Sequence, residues 1–214
     1  MKRPTYVTDK ALKQFIKSAL EEDIQSGDHS TLSTIPADLV QSAKLLVKED
    51  CILAGVELAE IIFKTFDKNL KIEVFIKDGE NAKVGDIAFI VTGKAQSILS
   101  TERLVLNCMQ RMSGIATLTH DWDSRLIGTK TKLLDTRKTT PNFRICEKWA
   151  VSIGGGTNHR YGLYDMIMLK DNHIDYNGSI TNAVKMTQQY LKKNKLNLKV
   201  EVENRNLAEV EEAA

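Results

Sequence analysis

Between Thr8 and Ile24, the apolar residues Ala11, Leu12, Phe15, Ile16, Ala19 and Leu20 recur three and four positions apart. That spacing lines one face of an α-helix. Thr8 stands where an N-cap belongs, and Gly27 ends the segment. The pattern then shortens. "AKLLVKEDCILAG" reads as strand, turn and strand, with the turn near Glu49-Asp50. "GVELAEIIFKTF" returns to helical spacing and predicts that Ile61, Ile62, Phe63 and Phe66 are partly buried. "LKIEVFIKDG" and "VGDIAFIVTGKA" alternate apolar and polar residues, the period of half-buried strands. The first half therefore predicts a few helices against an antiparallel sheet.

From Ile98 to Leu126 the pattern is helical, with Gly114 as a point of close packing or a break. The chain then changes character. "TKLLD" (131–135), "MIMLK" (166–170) and "LKVEVEN" (198–204) read as buried parallel strands. "PNFRICEKWAVSIG" and "SITNAVKMTQQYLKKN" read as the helices between them. This is the βαβ rhythm of a parallel sheet or α/β barrel. No low-complexity linker intervenes, so the domain boundary is expected in or just after the long helix, near residue 112. That divides the chain into 1–112 and 113–214. "NLAEVEEAA" reads as the middle of a helix, and three such strands do not close a barrel. The expectation is a fragment, or a chain completed by another.

Composition narrows the possibilities. The chain has 214 residues, with apolar and charged fractions of 42% and 27%, ordinary for a soluble globular protein. A net charge of +2 argues against a global field for nucleic acid or membrane. Cys51, Cys108 and Cys146 are odd in number and form no C-x-x-C pair, which points to reduced thiols in a cytoplasmic protein. "MKRPTYVTDKALKQ" lacks the apolar core of a signal peptide, and no stretch is long enough for a membrane helix. Charge is unevenly spread, however. From Arg137 to Lys170 the cations Arg137, Lys138, Arg144, Lys148, Arg160 and Lys170 outnumber the anions Glu147 and Asp165. Such a segment suggests a small anionic ligand.

In α/β folds, sites form at the C-terminal ends of strands. The first predicted strand ends in Arg137, Lys138 and Thr139, the second in Lys170, Asp171, Asn172 and His173, and the third carries Glu201 and Glu203. Arg137 and Lys138 alone read as solvated surface charge. With two hydroxyls at a strand end they read as an oxyanion site, because Arg grips carboxylate or phosphate bidentately. "GGGTNHRYG" is a turn, or a place where backbone approaches a ligand, next to His159 and Arg160. Lys170 ends a buried strand, where lysine is rare. Glu201 either pairs with Lys170 across adjacent strands or faces a metal or a developing positive charge. Asp171, Asn172 and His173 are loop caps or metal ligands, with capping the favoured reading.

These residues also carry a resemblance. "ERLVLNCMQRMSGIATLT", "LLDTRKTTP", "EKWAVSIGGGTNHRYGLYDMIMLKDNHI" and "VEVEN" resemble the quinolinate phosphoribosyltransferases, also called carboxylating nicotinate-nucleotide pyrophosphorylases. "ALEEDIQSGDHST" and "GDIAFIVTGKAQSILSTER" extend the likeness over nearly the whole chain. The resemblance implies an α/β protein, with an N-terminal α/β sandwich domain followed by an incomplete α/β barrel domain. It implies a pentosyl (glycosyl) transferase of NAD biosynthesis, working as a homodimer or larger assembly with shared sites. Quinolinate and phosphoribosyl pyrophosphate would give nicotinate mononucleotide, pyrophosphate and CO2, with Mg2+ as cofactor. Motif by motif, it implies that Arg103 reaches a partner's site. Arg137, His159, Arg160 and Lys170 would hold quinolinate, Lys138 and Thr139 the phosphoribosyl side. Catalytic roles fall on Lys138, Lys170 and Glu201. Family members continue through further βα units carrying an aspartate and glycine-rich phosphate turns, and metal ligands would lie there too. The alternative expectation is a truncated, non-catalytic family member that binds a pyridine dicarboxylate or a partner chain.

Overall fold

The Thr8 hydroxyl accepts a hydrogen bond from Ala11 N and starts α1 (Asp9–Ile24), with Leu12 and Ile16 buried as their spacing predicts. The structure is a computed structural model describing residues 2–214. The chain divides into two compact units, one ending at His159 and one spanning Arg160–Ala214. The fold is α/β.

In the first unit, α1 is followed by α2 (His29–Thr34), β1 (Val40–Leu46), β2 (Cys51–Ile52), α3 (Val56–Phe66), β3 (Lys71–Val74), β4 (Asn81–Ala82), β5 (Ile87–Lys94), α4 (Ala95–Ser124) and α5 (Arg144–Ile153). β5 is the centre of an antiparallel sheet ordered β1-β5-β3. Its sequence accounts for that position, since Ala88, Phe89 and Val91 are all buried. β1 is an edge strand, exposed along most of its length.

The predicted strand, turn and strand at 43–55 form as β1 and β2, but the two strands do not pair with each other. β2 leaves β1 and pairs antiparallel with β4. The connection is pulled aside by Asp50, whose carboxylate accepts from Val84 N at 2.9 Å and pairs with Lys83 at 2.9 Å. α3 buries Ile62 and Phe63, leaves Ile61 half-buried and leaves Phe66 exposed. Its N-terminus is capped from a distance, by Asp78 accepting from Val56 N and Glu57 N.

α4 runs unbroken through Gly114, and the expected boundary at 112 falls inside it. A Cβ at Gly114 would meet nothing within 4 Å, so that glycine serves neither a break nor a close approach. The opposite face buries Val105, Cys108, Met109, Met112 and Ala116 in one core with α1, α3, β5 and α5.

Residues 131–135 do not form the predicted buried strand. Leu134 makes only an isolated parallel bridge to Thr157, and its side chain is half exposed. An apolar run becomes a strand only where a ladder of partners continues along it. Here the ladder is Thr157 N to Leu133 O and Asp135 N to Thr157 O, and no more among the described residues of this unit.

The second unit contains β6 (Ile167–Leu169), α6 (Asp171–Asn177), α7 (Ile180–Asn194), β7 (Val200–Val202) and α8 (Leu207–Ala213). β6 and β7 pair in parallel across the helical connection, as a βαβ unit does. Both strands are three residues long, and only Leu169 of them is buried. α6 occupies the predicted loop at 171–173. His173 Nδ1 accepts from Lys170 N at 3.0 Å, so this histidine caps the helix. Among the described residues no helix is long and apolar enough to cross a membrane.

Candidate functional site

The "LLDTRKTTP" segment is anchored at its aspartate. Asp135 is almost fully buried, its side chain 6% exposed, and it forms an ion pair with Lys148 on α5, 1% exposed. An isolated buried charge costs several kcal/mol, so this pair needs the rest of its hydrogen-bonding capacity filled. It is filled. Asp135 Oδ2 accepts from Asn158 Nδ2 at 2.7 Å, and Oδ1 accepts from His159 N at 2.8 Å. Asn158 Nδ2 also donates to Lys148 O at 2.8 Å, and Asn158 Oδ1 accepts from the Tyr6 hydroxyl at 2.9 Å. Lys148 is thus removed from the set of ligand cations suggested by its charge. It ties the strand end at 135 to the segment 157–159.

A second anchor holds the far side of the loop. Glu147 accepts from Thr140 N at 3.0 Å and Thr140 Oγ1 at 2.9 Å, and from Arg111 Nη2 at 2.8 Å. Burial alone would push the Glu147 carboxyl up. The Arg111 guanidinium and the two Thr140 donors outweigh it and hold the carboxyl below its ordinary range. Between these anchors Lys138 N donates to Thr136 Oγ1, and Thr139 N donates to Arg137 O. Arg144 Nε donates to Thr139 Oγ1 at 3.0 Å. Lys138 is exposed. Arg137 Nε is buried and has no hydrogen-bond partner among the described residues. Leaving a buried charged donor unpaired costs about 1–3 kcal/mol or more.

The triple glycine serves packing. A Cβ on Gly154 would lie 2.4 Å from Ala116 O, and one on Gly156 would lie 2.9 Å from Thr119 Cγ2. The glycines let this turn close on α4, where the sequence left open an approach to a ligand. They hold Asn158 and the half-buried His159 against the same network. Arg103 lies exposed on α4.

In the second unit, Lys170 follows β6 directly. Its ammonium pairs with Glu203 Oε2 at 3.1 Å, both side chains about half exposed. Glu203 is thus a cross-strand partner of Lys170, and Glu201 stands exposed opposite Met168. The sequence pointed to Glu201 for this pairing, and Glu203 shares its strand parity. A pair this exposed is worth about 0–1 kcal/mol, and a ligand anion can displace it. Arg160 Nη1 donates to Met166 O at 3.3 Å. Asn204 Oδ1, just past β7, is buried without a partner among the described residues.

Residues sequence reasoning missed are the supports: Tyr6, Arg111, Asp135, Glu147, Lys148 and Asn158. A cavity of about 600 Å3 lies elsewhere, between the β1–β2 connection and α4, lined by Leu45, Leu53, Leu106, Met109 and Leu118. It contains none of the candidate residues. Among the described residues no group of three or more His, Cys, Asp or Glu side chains gathers to hold a metal.

Comparison with known proteins bears on this arrangement. Residues 28–113 match the family model for the quinolinate phosphoribosyl transferase N-terminal domain, and residues 115–214 match the model for its C-terminal domain. The chain is 48% identical over 210 residues to quinolinate phosphoribosyltransferase [decarboxylating] 2b, mitochondrial, of Nicotiana tabacum, covering 98% of this chain and 58% of that protein. It is 38% identical to a probable nicotinate-nucleotide pyrophosphorylase [carboxylating] of Synechocystis, covering 98% and 68%. The crystal structure of NadC from Streptococcus pyogenes superposes with a TM-score of 0.89 at 39% identity, covering 98% of this chain and 73% of that one. The nicotinate-nucleotide pyrophosphorylase from Francisella tularensis gives 0.87 at 36% identity, covering 100% and 74%. The chain thus spans less than two thirds of the tobacco relative's length.

Proposed function

Because the chain belongs to the quinolinate phosphoribosyltransferase family, we propose that the protein transfers phosphoribosyl from phosphoribosyl pyrophosphate to quinolinate with decarboxylation, giving nicotinate mononucleotide, pyrophosphate and CO2. The observation that carries this reading within the molecule is the buried, unpartnered Arg137 Nε, set in a loop anchored on both sides and followed by exposed Lys138. A donor held in that state fits an anion with two carboxylates.

In this proposal Arg137, Arg160 and Lys170 grip the quinolinate carboxylates, with His159 orienting the ring. Lys170 exchanges its exposed pairing with Glu203 for the ligand. Arg103 reaches the site of a second copy, so the working unit is a homodimer or larger. Lys138 and Thr139 face the phosphoribosyl group. Thr139 Oγ1 accepts from Arg144 and donates a long, 3.5 Å hydrogen bond to Arg137 O, which the hydroxyl would exchange for a phosphate oxygen. The pyridine nitrogen attacks the anomeric carbon while pyrophosphate leaves, and Glu201 stabilises the positive charge that develops on the sugar. The ring then loses CO2, the electron pair left on its carbon is stabilised by the adjacent cationic nitrogen, and that carbon takes up a proton from water to give nicotinate mononucleotide. Mg2+, when bound with phosphoribosyl pyrophosphate, would neutralise charge on the departing pyrophosphate, whose hard oxygens suit it. A cytoplasmic location is proposed on the three free thiols. The relatives in Nicotiana tabacum and Arabidopsis thaliana carry mitochondrial and chloroplastic labels.

The test is incubation with quinolinate, phosphoribosyl pyrophosphate and Mg2+, following nicotinate mononucleotide and CO2. Equal amounts of both products support the proposal. Quinolinate binding without product supports a binding-only role. Neither binding nor product overturns it.

A further inference from the structure

Lys148 is only 1% exposed, the one fully buried lysine among the described residues, and the reaction proposed above gives it nothing to do. Its ammonium meets Asp135, whose two oxygens are shared out among three donors from 148, 158 and 159. Asp135 stands two residues before Arg137. His159 is held to the same carboxylate by its own backbone N–H. One buried carboxylate therefore fixes both anion-facing segments of the first unit.

We propose that Lys148 is a positioning residue, whose buried ammonium holds the Asp135 carboxylate in place and so sets the spacing between Arg137 and His159. The role in binding rests on the quinolinate reading; the role in geometry does not. The bland alternative is that Lys148 only stabilises the fold. Physical chemistry separates the two. A buried ion pair stabilises a fold no better than a well-packed apolar pair does, so stability alone does not call for lysine here. Position does. With the ammonium gone, Asp135 is a buried carboxylate facing only neutral donors. It turns toward water or toward another donor. Either response changes its acceptance from Asn158 Nδ2 and His159 N. The Asn158 carbonyl then loses its fixed orientation toward the Tyr6 hydroxyl, and the loop from 135 to 139 loses its first anchor. The second anchor, Glu147 with Thr140, remains. The effect is thus a loosening confined to one end of the loop.

The experiment compares the unaltered protein with Lys148→Met and Lys148→Arg, using hydrogen exchange at single amides and quinolinate titration. Lys148→Met should speed exchange of the His159 amide at least tenfold more than that of amides in α3, and weaken quinolinate about tenfold. Lys148→Arg keeps the charge, so it should hold the His159 amide and the affinity better than Lys148→Met, even where it melts lower. That opposite ordering of affinity and stability is what a merely structural lysine would not give. If Lys148→Met does not fold, Lys148→Gln, neutral and still a donor, replaces it under the same criteria. A folded neutral variant with unchanged His159 exchange overturns the proposal, as does faster exchange spread evenly over the unit. If the unaltered protein does not bind quinolinate, the functional reading fails while the exchange measurement still decides the role of Lys148.

Discussion

Two glycines of this protein should respond to alanine with opposite signs. At Gly154 an added Cβ would lie 2.4 Å from Ala116 O, 2.8 Å from Thr119 Cβ and 3.0 Å from Ala116 Cα. Two of those three atoms are backbone of α4, which cannot rotate aside, so the turn must lift from the helix. Overpacking of this kind costs about 1–3 kcal/mol, and the rigid backbone contacts favour the upper end, about 2–3 kcal/mol. For a chain of this length that lowers the melting temperature by roughly 4–12 °C. At Gly114 the same methyl meets nothing within 4 Å and the residue lies inside a helix. Alanine there removes backbone freedom from the unfolded chain and gains about 0.5–1 kcal/mol, raising the melting temperature by roughly 1–4 °C. Thermal and urea unfolding of both variants, followed by far-ultraviolet circular dichroism, would measure the pair. A Gly154→Ala protein that melts with the unaltered one would refute the packing argument. So would a shift of the same sign at both positions.

Other outcomes follow from the loop and its supports. The Glu147 carboxyl is held below its ordinary value of 4.5, so the stability it contributes is complete above that pH and is lost as pH falls through the depressed value. Arg111→Ala should therefore lower the urea midpoint at about pH 7, and the difference should shrink at about pH 3; an equal difference at both pH values would contradict the assignment. Arg137→Lys keeps the charge and loses the planar fork, and isothermal titration should find quinolinate bound about tenfold more weakly. Arg103→Ala and Lys170→Ala, each inactive alone, should recover about a quarter of full activity when mixed in equal amounts, because half the dimers then hold one intact site. No recovery after demonstrated subunit exchange would rule out a shared site.

Elements that carry their own signal were legible in the sequence. α1 has an amphipathic face and a threonine cap. α3 and β5 have apolar residues at the right period, and each formed close to its expected place. What failed depended on distant partners. Residues 131–135 have the composition of a buried strand, but only Thr157 bridges them, and composition does not report how many neighbours a strand will find. The strands at 43–55 formed, but the pairing of the second with β4 rests on distant residues, with Asp50 reaching Lys83 and Val84. The same limit applies to the candidate site. Arg137, Lys138 and Lys170 were visible because charge is unusual at the end of an apolar run. Lys148 was visible as a charge and misjudged as to place, because its partner is thirteen residues away on another element. Glu147 and Arg111 gave no signal at all, since an acid and a base on two helices look like ordinary surface until the helices meet.

α4 is thirty residues long, a rod of about 45 Å. The two inherited halves recognised at 28–113 and 115–214 meet near its middle, where no loop or hinge intervenes. Cutting there would leave two broken ends, each with a turn of unsatisfied backbone groups, and would strip Met109 and Met112 from Ala116 and its neighbours. The seam of ancestry and the seam of mechanics are therefore different places. Genes drawn as two separable modules at residue 114 would encode two halves of a single beam, and neither half should keep its shape when made alone.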